Sequence, residues 1–431
     1  MPAFFLKESL HMRQEPIMYN KNTKSTTLPA LIPWFIASFY TFFQFLGQTT
    51  AGIMGAEWMR DFHLDKVGLS NLSAAFFYTY ALMQIPAGIL FDRYSARYIL
   101  TAAALALAAG CFLLSYTENY QVAIVARLLM GIGSSYGFVG LLQISAIWFP
   151  PNRFAMMIGL SECLTMLGVT FGVVFLTWLV THWSWRSAMF GGGVITFITM
   201  IVTFLFVRDQ PDRHLTHERQ LLSIKIIAQR LKIIFTDRQV ILGSLFGFFI
   251  FSIVNAFTSL WGISFLTHAY PFSQQLAANM VAMIFIGIAI GGALCGWLSK
   301  IVNQQRGIVL AGGGCAAFTM SVIIFCPHLP PFLLFILFLL IGLFCSVYVL
   351  SFSIVKDSVN PAIRATALAT TNMVIMLGAP ILQLLIGFLL QSHFFGLTDD
   401  TGIIYRLSLG ILPIGMFAAF VLAFWIKEPS Y

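Results

Sequence analysis

The chain has 431 residues, of which 59% are hydrophobic and only 9% are charged, and its formal net charge is +8. A soluble domain carries about a quarter charged residues because its surface must be solvated, so this composition excludes an ordinary soluble protein. The six cysteines lie in apolar segments without a CxxC pair, which argues against a disulfide framework and against a zinc site.

The apolar segments predict twelve membrane-spanning helices, because crossing the hydrocarbon takes about 20 predominantly apolar residues in a helix. Residues 1–30 come first and lack the apolar core of a signal peptide, so we expect a cytoplasmic tail there. The predicted helices cover residues 31–56, 68–91, 98–117, 121–148, 155–181, 186–207, 240–268, 275–299, 307–326, 331–355, 364–391 and 403–427.

The basic residues predict the orientation, because Lys and Arg in short loops are retained in the cytoplasm. An even number of spans places both termini on one side, and with the termini inside, most of the 24 Lys and Arg residues are cytoplasmic. We therefore expect a multi-pass protein of a bacterial-type inner membrane, with residues 428–431 as a cytoplasmic end. The basic residues are dispersed over many loops, which argues against nucleic-acid binding.

The longest internal polar stretch, residues 208–239, divides the chain into a bundle over 31–207 and a second bundle over 240–427. Apolar and basic residues alternate within this linker, which indicates an amphipathic helix on the inner membrane face. A solvated linker is the alternative.

A loop motif follows the second predicted helix, with the sequence Gly88-Ile-Leu-Phe-Asp92-Arg93-Tyr-Ser-Ala-Arg97. It resembles the loop signature of the major facilitator superfamily, and five positions agree: Gly88, Leu90, Asp92, Arg93 and Arg97. Ser95 and Ala96 replace a usual glycine and a usual base. The resemblance implies an all-α membrane fold of two pseudo-symmetric six-helix bundles, and the eroded copy Gly296-Trp-Leu-Ser-Lys300 is expected of such a duplication.

The resemblance also implies a cytoplasmic latch centred on Asp92. Its carboxylate would face the positive N-terminal end of the eleventh helix near Arg364, with Arg153 as an additional partner. The alternative is that these charges only fix the topology.

The fourth predicted helix carries Arg127 four residues before Gly131, similar to a second signature of the family. A charge at membrane depth costs at least about 2.5 kcal/mol, so Arg127 needs a cavity or a partner. It lies about 9 Å from the outer boundary at roughly 1.5 Å per residue. It is therefore a candidate for proton coupling, and partial snorkelling towards the outer surface is the alternative.

Glu162 is the only carboxylate clearly inside a predicted helix. Burial disfavours a charged carboxylate, so Glu162 could take up and release a proton during a transport cycle. A structural hydrogen bond to a neighbouring helix is the alternative, and we expect no direct pair with Arg127. The same helix has the glycine spacing of the family's antiporter signature, but Val173 replaces its proline, which weakens an exporter hypothesis.

The resemblance implies which helices surround a central path, and neutral polar residues near the midplane of those helices predict a site for a small hydrogen-bonding solute. Each such residue is more often an interhelical hydrogen bond than a ligand contact. The candidates are Gln44, Gln48, Tyr78, Gln84, Tyr136, Gln143, Asn255, Tyr348, Asn372 and Gln383.

The leading hypothesis is a monomeric secondary transporter, not an enzyme, that takes up a small organic solute with a proton. The expected solute is an amino acid, a nucleoside or an organic anion, and the expected driving force is the proton gradient, with no cofactor and no metal. The partners are the solute and the lipid bilayer. An exporter of drugs or a siderophore is the runner-up, and a non-transporting membrane sensor or scaffold is the alternative from another class.

Overall fold

The structure, a computed structural model, describes residues 27–149, 151–208, 231–270, 272–302, 305–360, 363–391 and 402–427. These residues form twelve helices that are long and apolar enough to cross a membrane, and no strand occurs among them. The predicted all-α fold with twelve spans is therefore confirmed. Residues 1–26 and 428–431 of the predicted tails and 209–230 of the predicted linker lie outside the described residues, whereas 27–30 already belong to the first helix.

The first six spans form the N-terminal half. They are α1 (Thr27–Asp61), α2 (Lys66–Leu82 continued by Gln84–Arg93), α3 (Ala96–Tyr116), α4 (Tyr120–Ser135 continued by Gly137–Trp148), α5 (Pro151–His182) and α6 (Trp185–Phe206). Two loops identify the ends of the bundle. We name them the Asp65 end, after the α1–α2 connection, and the Arg97 end, after the α2–α3 connection.

The last six spans form the C-terminal half. They are α7 (Arg238–Gly247, Ile253–Ala256 and Gly262–Ala269), α8 (Gln274–Val302), α9 (Gln305–Phe325), α10 (Pro331–Cys345 and Val349–Ser358), α11 (Arg364–Gln391) and α12 (Gly402–Leu409 and Ile411–Ala423).

Polar side chains determine where several of these helices begin. The Asp65 carboxylate accepts a hydrogen bond from the Gly68 amide (2.6 Å) before α2, and Asn119 and Ser184 accept from first-turn amides of α4 and α6. Each cap satisfies an amide that has no partner within its own helix. Short polar connections in an apolar sequence therefore fix the helix ends locally.

Two arginines show the internal repeat of the fold. Arg186 of α6 donates to the carbonyl of Thr117 at the end of α3 (2.6 Å), and Arg406 of α12 donates to the carbonyl of Ile324 at the end of α9 (2.6 Å). Helices α6 and α12 occupy equivalent places in the two halves, as do α3 and α9. Each arginine satisfies carbonyls that a helix C-terminus leaves unpaired, so both halves use the same chemistry at the same place.

Helix α7 departs from regular α geometry more than the other spans. Two π-helical segments, Phe248–Ser252 and Phe257–Trp261, flank the turn that contains Asn255. A π turn widens the helix, and such turns occur frequently at functional sites. The regular apolar pattern of the sequence does not predict them.

The two halves are held together at the Asp65 end by hydrogen bonds between α2 and the C-terminal half. The Gln391 amide donates to the Asp65 carboxylate (2.7 Å) and accepts from the Val67 amide (3.3 Å). The Lys66 ammonium donates to the Tyr405 hydroxyl (2.7 Å). Each of these contacts pairs one half with the other, so the structure is closed at this end.

Close backbone packing accompanies these hydrogen bonds. A Cβ atom on Gly52 of α1 would lie 3.1 Å from the backbone of Ser259 in α7, and Gln274 of α8 donates to the Ile53 carbonyl (2.7 Å). Glycine favours this close approach, because an added side chain would push the two helices apart by a few tenths of an ångström.

Towards the Arg97 end, contact between the halves weakens. The Asn372 amide of α11 donates to the Gln84 carbonyl oxygen of α2 (2.9 Å), and this is the hydrogen bond between described residues of the two halves that lies nearest the Arg97 end. Beyond it, no atom of the described part of the chain lies within 4 Å of a Cβ position at Gly88 of α2 or Gly159 of α5.

Candidate functional site

A small cavity lies between the two halves, near the middle of the membrane-spanning region. Helices α1, α5, α7 and α8 form its wall, and the residues that matter most for its chemistry are Phe45, Gln48, Met166, Phe251, Asn255 and Phe285. Its volume of about 10 Å³ is close to the minimum that holds one water-sized group. No lining residue is charged.

The amide nitrogens of two side chains in this wall have no hydrogen-bond partner in the described part of the chain. Gln48 of α1 is 2% exposed and Asn255 of α7 is 7% exposed, and neither amide nitrogen has a partner among the described residues. Buried polar groups are nearly always hydrogen-bonded, so unpaired donors at one cavity indicate a site for an acceptor. The two donors come from equivalent helices of opposite halves.

Glu162 lies on α5 and faces the interface between the halves. It is half-buried and interacts electrostatically with the hydroxyl groups of Tyr80 in α2 and Tyr348 in α10. No ion pair or hydrogen bond links its carboxylate to another residue within the described ranges. An unpaired carboxylate in a membrane-spanning segment is a functional candidate because it is costly to keep there.

Arg127 is fully buried and joins three helices of the N-terminal half. Its guanidinium donates to the Gly47 carbonyl (3.1 Å) and the Thr50 hydroxyl (3.0 Å) of α1, and to the carbonyls of Leu72 and Ser73 of α2 (both 3.4 Å). The Arg127 side chain is 0% exposed, so it does not snorkel to the membrane surface. No carboxylate pairs with it among the described residues, in keeping with the expected absence of a pair with Glu162.

Two of the predicted polar residues are fully engaged inside the protein. Gln44 donates to the Tyr80 hydroxyl (2.8 Å) and accepts from the Phe138 amide (3.0 Å). Gln84 donates to the Tyr80 carbonyl (3.2 Å) and accepts from Asn372 (2.9 Å). Both amide atoms of each side chain already have a partner in this conformation, which favours their alternative role as links between helices.

The remaining candidates occupy varied positions. Gln383 of α11 is buried and donates to the Ser259 hydroxyl (2.7 Å), while its carbonyl oxygen has no partner among the described residues. Tyr348 stacks on Phe251, with 4.1 Å between the ring centroids, and so lies beside the cavity. Tyr78 and Gln143 are half-buried, and Tyr136 is buried.

The predicted latch falls partly on residues that the structure does not describe. The side chains of Asp92 and Arg93 lie outside the described residues, so the latch stays a prediction. Of its proposed partners, Arg153 is exposed, and Arg364 donates to the Lys356 carbonyl (3.0 Å) of its own half. Arg97 lies over the ring of Phe204, 4.3 Å from its centroid.

Tyr80 contacts two of the candidate residues, but it is not one of the residues predicted from the sequence. It is 3% exposed, binds Gln44 and approaches Glu162, whereas the predicted Tyr78 does neither. The signal was available in the spacing, because Tyr80 lies four residues before Gln84 and therefore on the same helix face.

Known proteins agree with this architecture. The Major Facilitator Superfamily model matches residues 37–327 and 262–431. The uncharacterized transporter YybO of Bacillus subtilis is 23% identical over 63% of this chain and 67% of its own length, and the hexuronate transporter of the same organism is 22% identical over 66% and 68%.

A solved structure shows the same fold over nearly the whole chain. A bacterial homolog of the human lysosomal transporter Spinster, in its inward-facing and unoccupied conformation, has a TM-score of 0.75 and 15% identity, and the match covers 94% of this chain and 98% of that one. With twelve spans in two repeated halves and a family match across most of the sequence, this chain belongs to the Major Facilitator Superfamily and is a secondary transporter rather than an enzyme.

Proposed function

We propose that this transporter takes up a small organic anion together with a proton, and that Glu162 carries the proton. The observation that carries the proposal is that Glu162 interacts electrostatically with Tyr80 of one half and Tyr348 of the other, while no cation of the described residues forms an ion pair with it. The similarity to a hexuronate transporter supports an organic anion as the solute class.

Glu162 can couple proton movement to solute movement, because its surroundings change when the two halves rearrange. A carboxylate at the interface of two halves is solvated differently in each conformation, so its charged and neutral forms favour different conformations. A symporter requires the empty and the fully loaded carrier to reorient while the singly loaded carrier does not. In the fully loaded carrier, the proton is bound at Glu162 and the solute is bound in the central cavity.

We further propose that the Arg97 end faces the cytoplasm of an inner membrane. The concentration of Lys and Arg in the loops of that end supports this orientation. The described conformation is closed at the Asp65 end, so it would correspond to the state that exchanges solute with the cytoplasm. The latch at Asp92 would then form in the opposite state.

The test compares Glu162→Gln with the unaltered protein in proteoliposomes under an imposed pH gradient, with radiolabelled D-glucuronate as the probe. Glu118→Gln is a matched control, because it makes the same chemical change at an exposed carboxylate near the Asp65 end. We expect Glu162→Gln to abolish accumulation driven by the pH gradient while solute exchange across the membrane persists. Glu118→Gln should accumulate solute like the unaltered protein.

Two outcomes would contradict the proposal. Normal proton-driven accumulation by Glu162→Gln would exclude Glu162 as the proton carrier. Loss of intracellular solute on expression of the chain, sensitive to a proton uncoupler, would instead identify an exporter.

A further inference from the structure

We infer that Gln48 and Asn255 together bind one uncharged oxygen atom, a hydroxyl or carbonyl oxygen, of the transported solute. This inference deepens the proposed function, since it assumes that the central cavity receives the solute. It states that an uncharged oxygen of the solute enters the cavity and that hydrogen bonds from two amides recognise this oxygen.

The two free donors are the first step of the argument. Both amide nitrogens are buried, both residues line the same cavity, and neither nitrogen has a partner among the described residues. The other polar side chains of the wall already use their donors, because Thr49 donates to the Leu46 carbonyl (2.9 Å) and Thr258 to the Asn255 carbonyl (3.4 Å). The wall therefore offers two amide donors to whatever enters.

The size of the cavity is the second step. About 10 Å³ admits one oxygen-sized group and excludes a whole sugar or amino acid. A single hydroxyl or carbonyl oxygen has two lone pairs and can accept one hydrogen bond from each amide. One atom of the solute can thus satisfy one donor of each half.

The absence of charge in the wall is the third step. The cavity contains no Lys, Arg or His, and the rings of Phe45, Phe251 and Phe285 make most of its surface apolar. A carboxylate or phosphate placed here would lose its hydration without a counter-ion, which is far more costly than placing a neutral oxygen. The charged group of an anionic solute must therefore lie outside this cavity.

The position of the two donors gives the site its role. Gln48 belongs to α1 and Asn255 to the short α-helical turn of α7 between its two π-helical segments. An oxygen bound by both amides links the two halves through the solute. A solute without that oxygen leaves two buried donors unpaired, and a site of this kind rejects such analogues strongly.

The first experiment measures the melting temperature of purified protein without added solute. Gln48→Leu and Asn255→Leu each remove a buried amide whose nitrogen is unpaired, so we expect both variants to melt at a higher temperature than the unaltered protein. Gln44→Leu is the matched control, because that amide is hydrogen-bonded at both of its polar atoms. We expect Gln44→Leu to melt at a lower temperature.

The second experiment uses D-glucuronate and its single-deoxy analogues as probes and measures the shift of melting temperature that each induces. The deoxy analogue that lacks the bound oxygen should bind on the order of 100-fold more weakly than D-glucuronate to the unaltered protein, because it leaves two buried donors unpaired. In Asn255→Leu that discrimination should disappear, while the other analogues keep their order.

The outcomes separate the inference from the proposed function. If Gln48→Leu and Asn255→Leu lower the melting temperature as Gln44→Leu does, the amides are structural and the inference is wrong whichever solute is carried. If Gln48→Leu and Asn255→Leu raise the melting temperature but no probe stabilises the unaltered protein, the two amide nitrogens are unpaired as inferred and the proposed solute class is wrong. If the deoxy analogues bind as expected but the pH gradient drives no accumulation, only the proposed coupling of solute to protons is wrong.

Discussion

Replacing Gly387 by alanine should shift the transporter away from the conformation described here. Gly387 lies in α11 at the Asp65 end, where a Cβ atom would be 3.0 Å from both the Lys66 carbonyl oxygen and the Ser70 Cβ of α2, and in contact with the Ser70 hydroxyl. These two helices belong to opposite halves. The added methyl group therefore acts as a wedge between the halves only while this end is closed.

The size of the effect follows from the cost of overpacking. Inserting a methyl group into a well-packed contact costs about 1–3 kcal/mol. Opening the Asp65 end would separate these two helices and relieve the clash, so the ratio of the two states should change by about 5- to 150-fold. Gly292→Ala in α8 is the control, because a Cβ there would have no atom of the described residues within 4 Å.

The assay is a distance measurement between spin labels placed on exposed positions of the two halves. Trp183 is 72% exposed before α6 and Phe332 is 76% exposed in the first turn of α10, both at the Asp65 end. Both labelled sites are introduced as cysteines in a background in which the exposed Cys163 and Cys315 are alanine.

We expect Gly387→Ala to increase the population with a longer distance between the labels, and Gly292→Ala to leave it unchanged. Identical distance distributions in the two variants would show that closure of the Asp65 end does not depend on this glycine contact, and the reasoning would fail.

Two further predictions concern the charged side chains of the fold. Arg127→Lys should lower the unfolding free energy by about 2 kcal/mol or more, and further than Arg127→Met, because lysine keeps a buried charge but loses the planar fork that reaches two helices. Thermal melting of the two variants checks this order, and a less stable methionine variant would contradict it. Lys66→Met and Tyr405→Phe should each lengthen the distance between the labels. The double variant should lengthen it no further than the larger of the two single changes. Additive changes would mean that the two residues act separately.

The spans and the repeat could be predicted because they depend on local sequence. Continuous apolar segments can be recognised without knowing what packs against them. In lipid such a segment forms a helix, because a helix satisfies all its backbone hydrogen bonds internally. The bounds of the helices then follow from short polar connections such as the one that contains Asp65. The π-helical segments of α7 could not be predicted in this way, because they depend on how α7 packs against α1 and α11.

The roles of the polar residues depended on tertiary contacts. Gln44 and Gln48 are one helical turn apart and look equivalent in the sequence, since both fall on the same face of α1. In the structure, Gln44 is engaged by Tyr80 and Phe138, whereas the Gln48 amide nitrogen has no partner among the described residues. Which of two similar side chains remains available to a solute is decided by residues far away in the chain.

The hydrogen bonds that close the Asp65 end have a consequence for how the transporter responds to its surroundings. Asp65 is held by the neutral amide of Gln391, and Lys66 by the neutral hydroxyl of Tyr405, so each charge across this contact meets an uncharged partner. At physiological ionic strength, dissolved salt largely screens the attraction between exposed charges that lie more than about 8 Å apart. It has little effect on a short hydrogen bond between a charged and a neutral group. The hydrogen bonds that close the Asp65 end should therefore depend little on ionic strength.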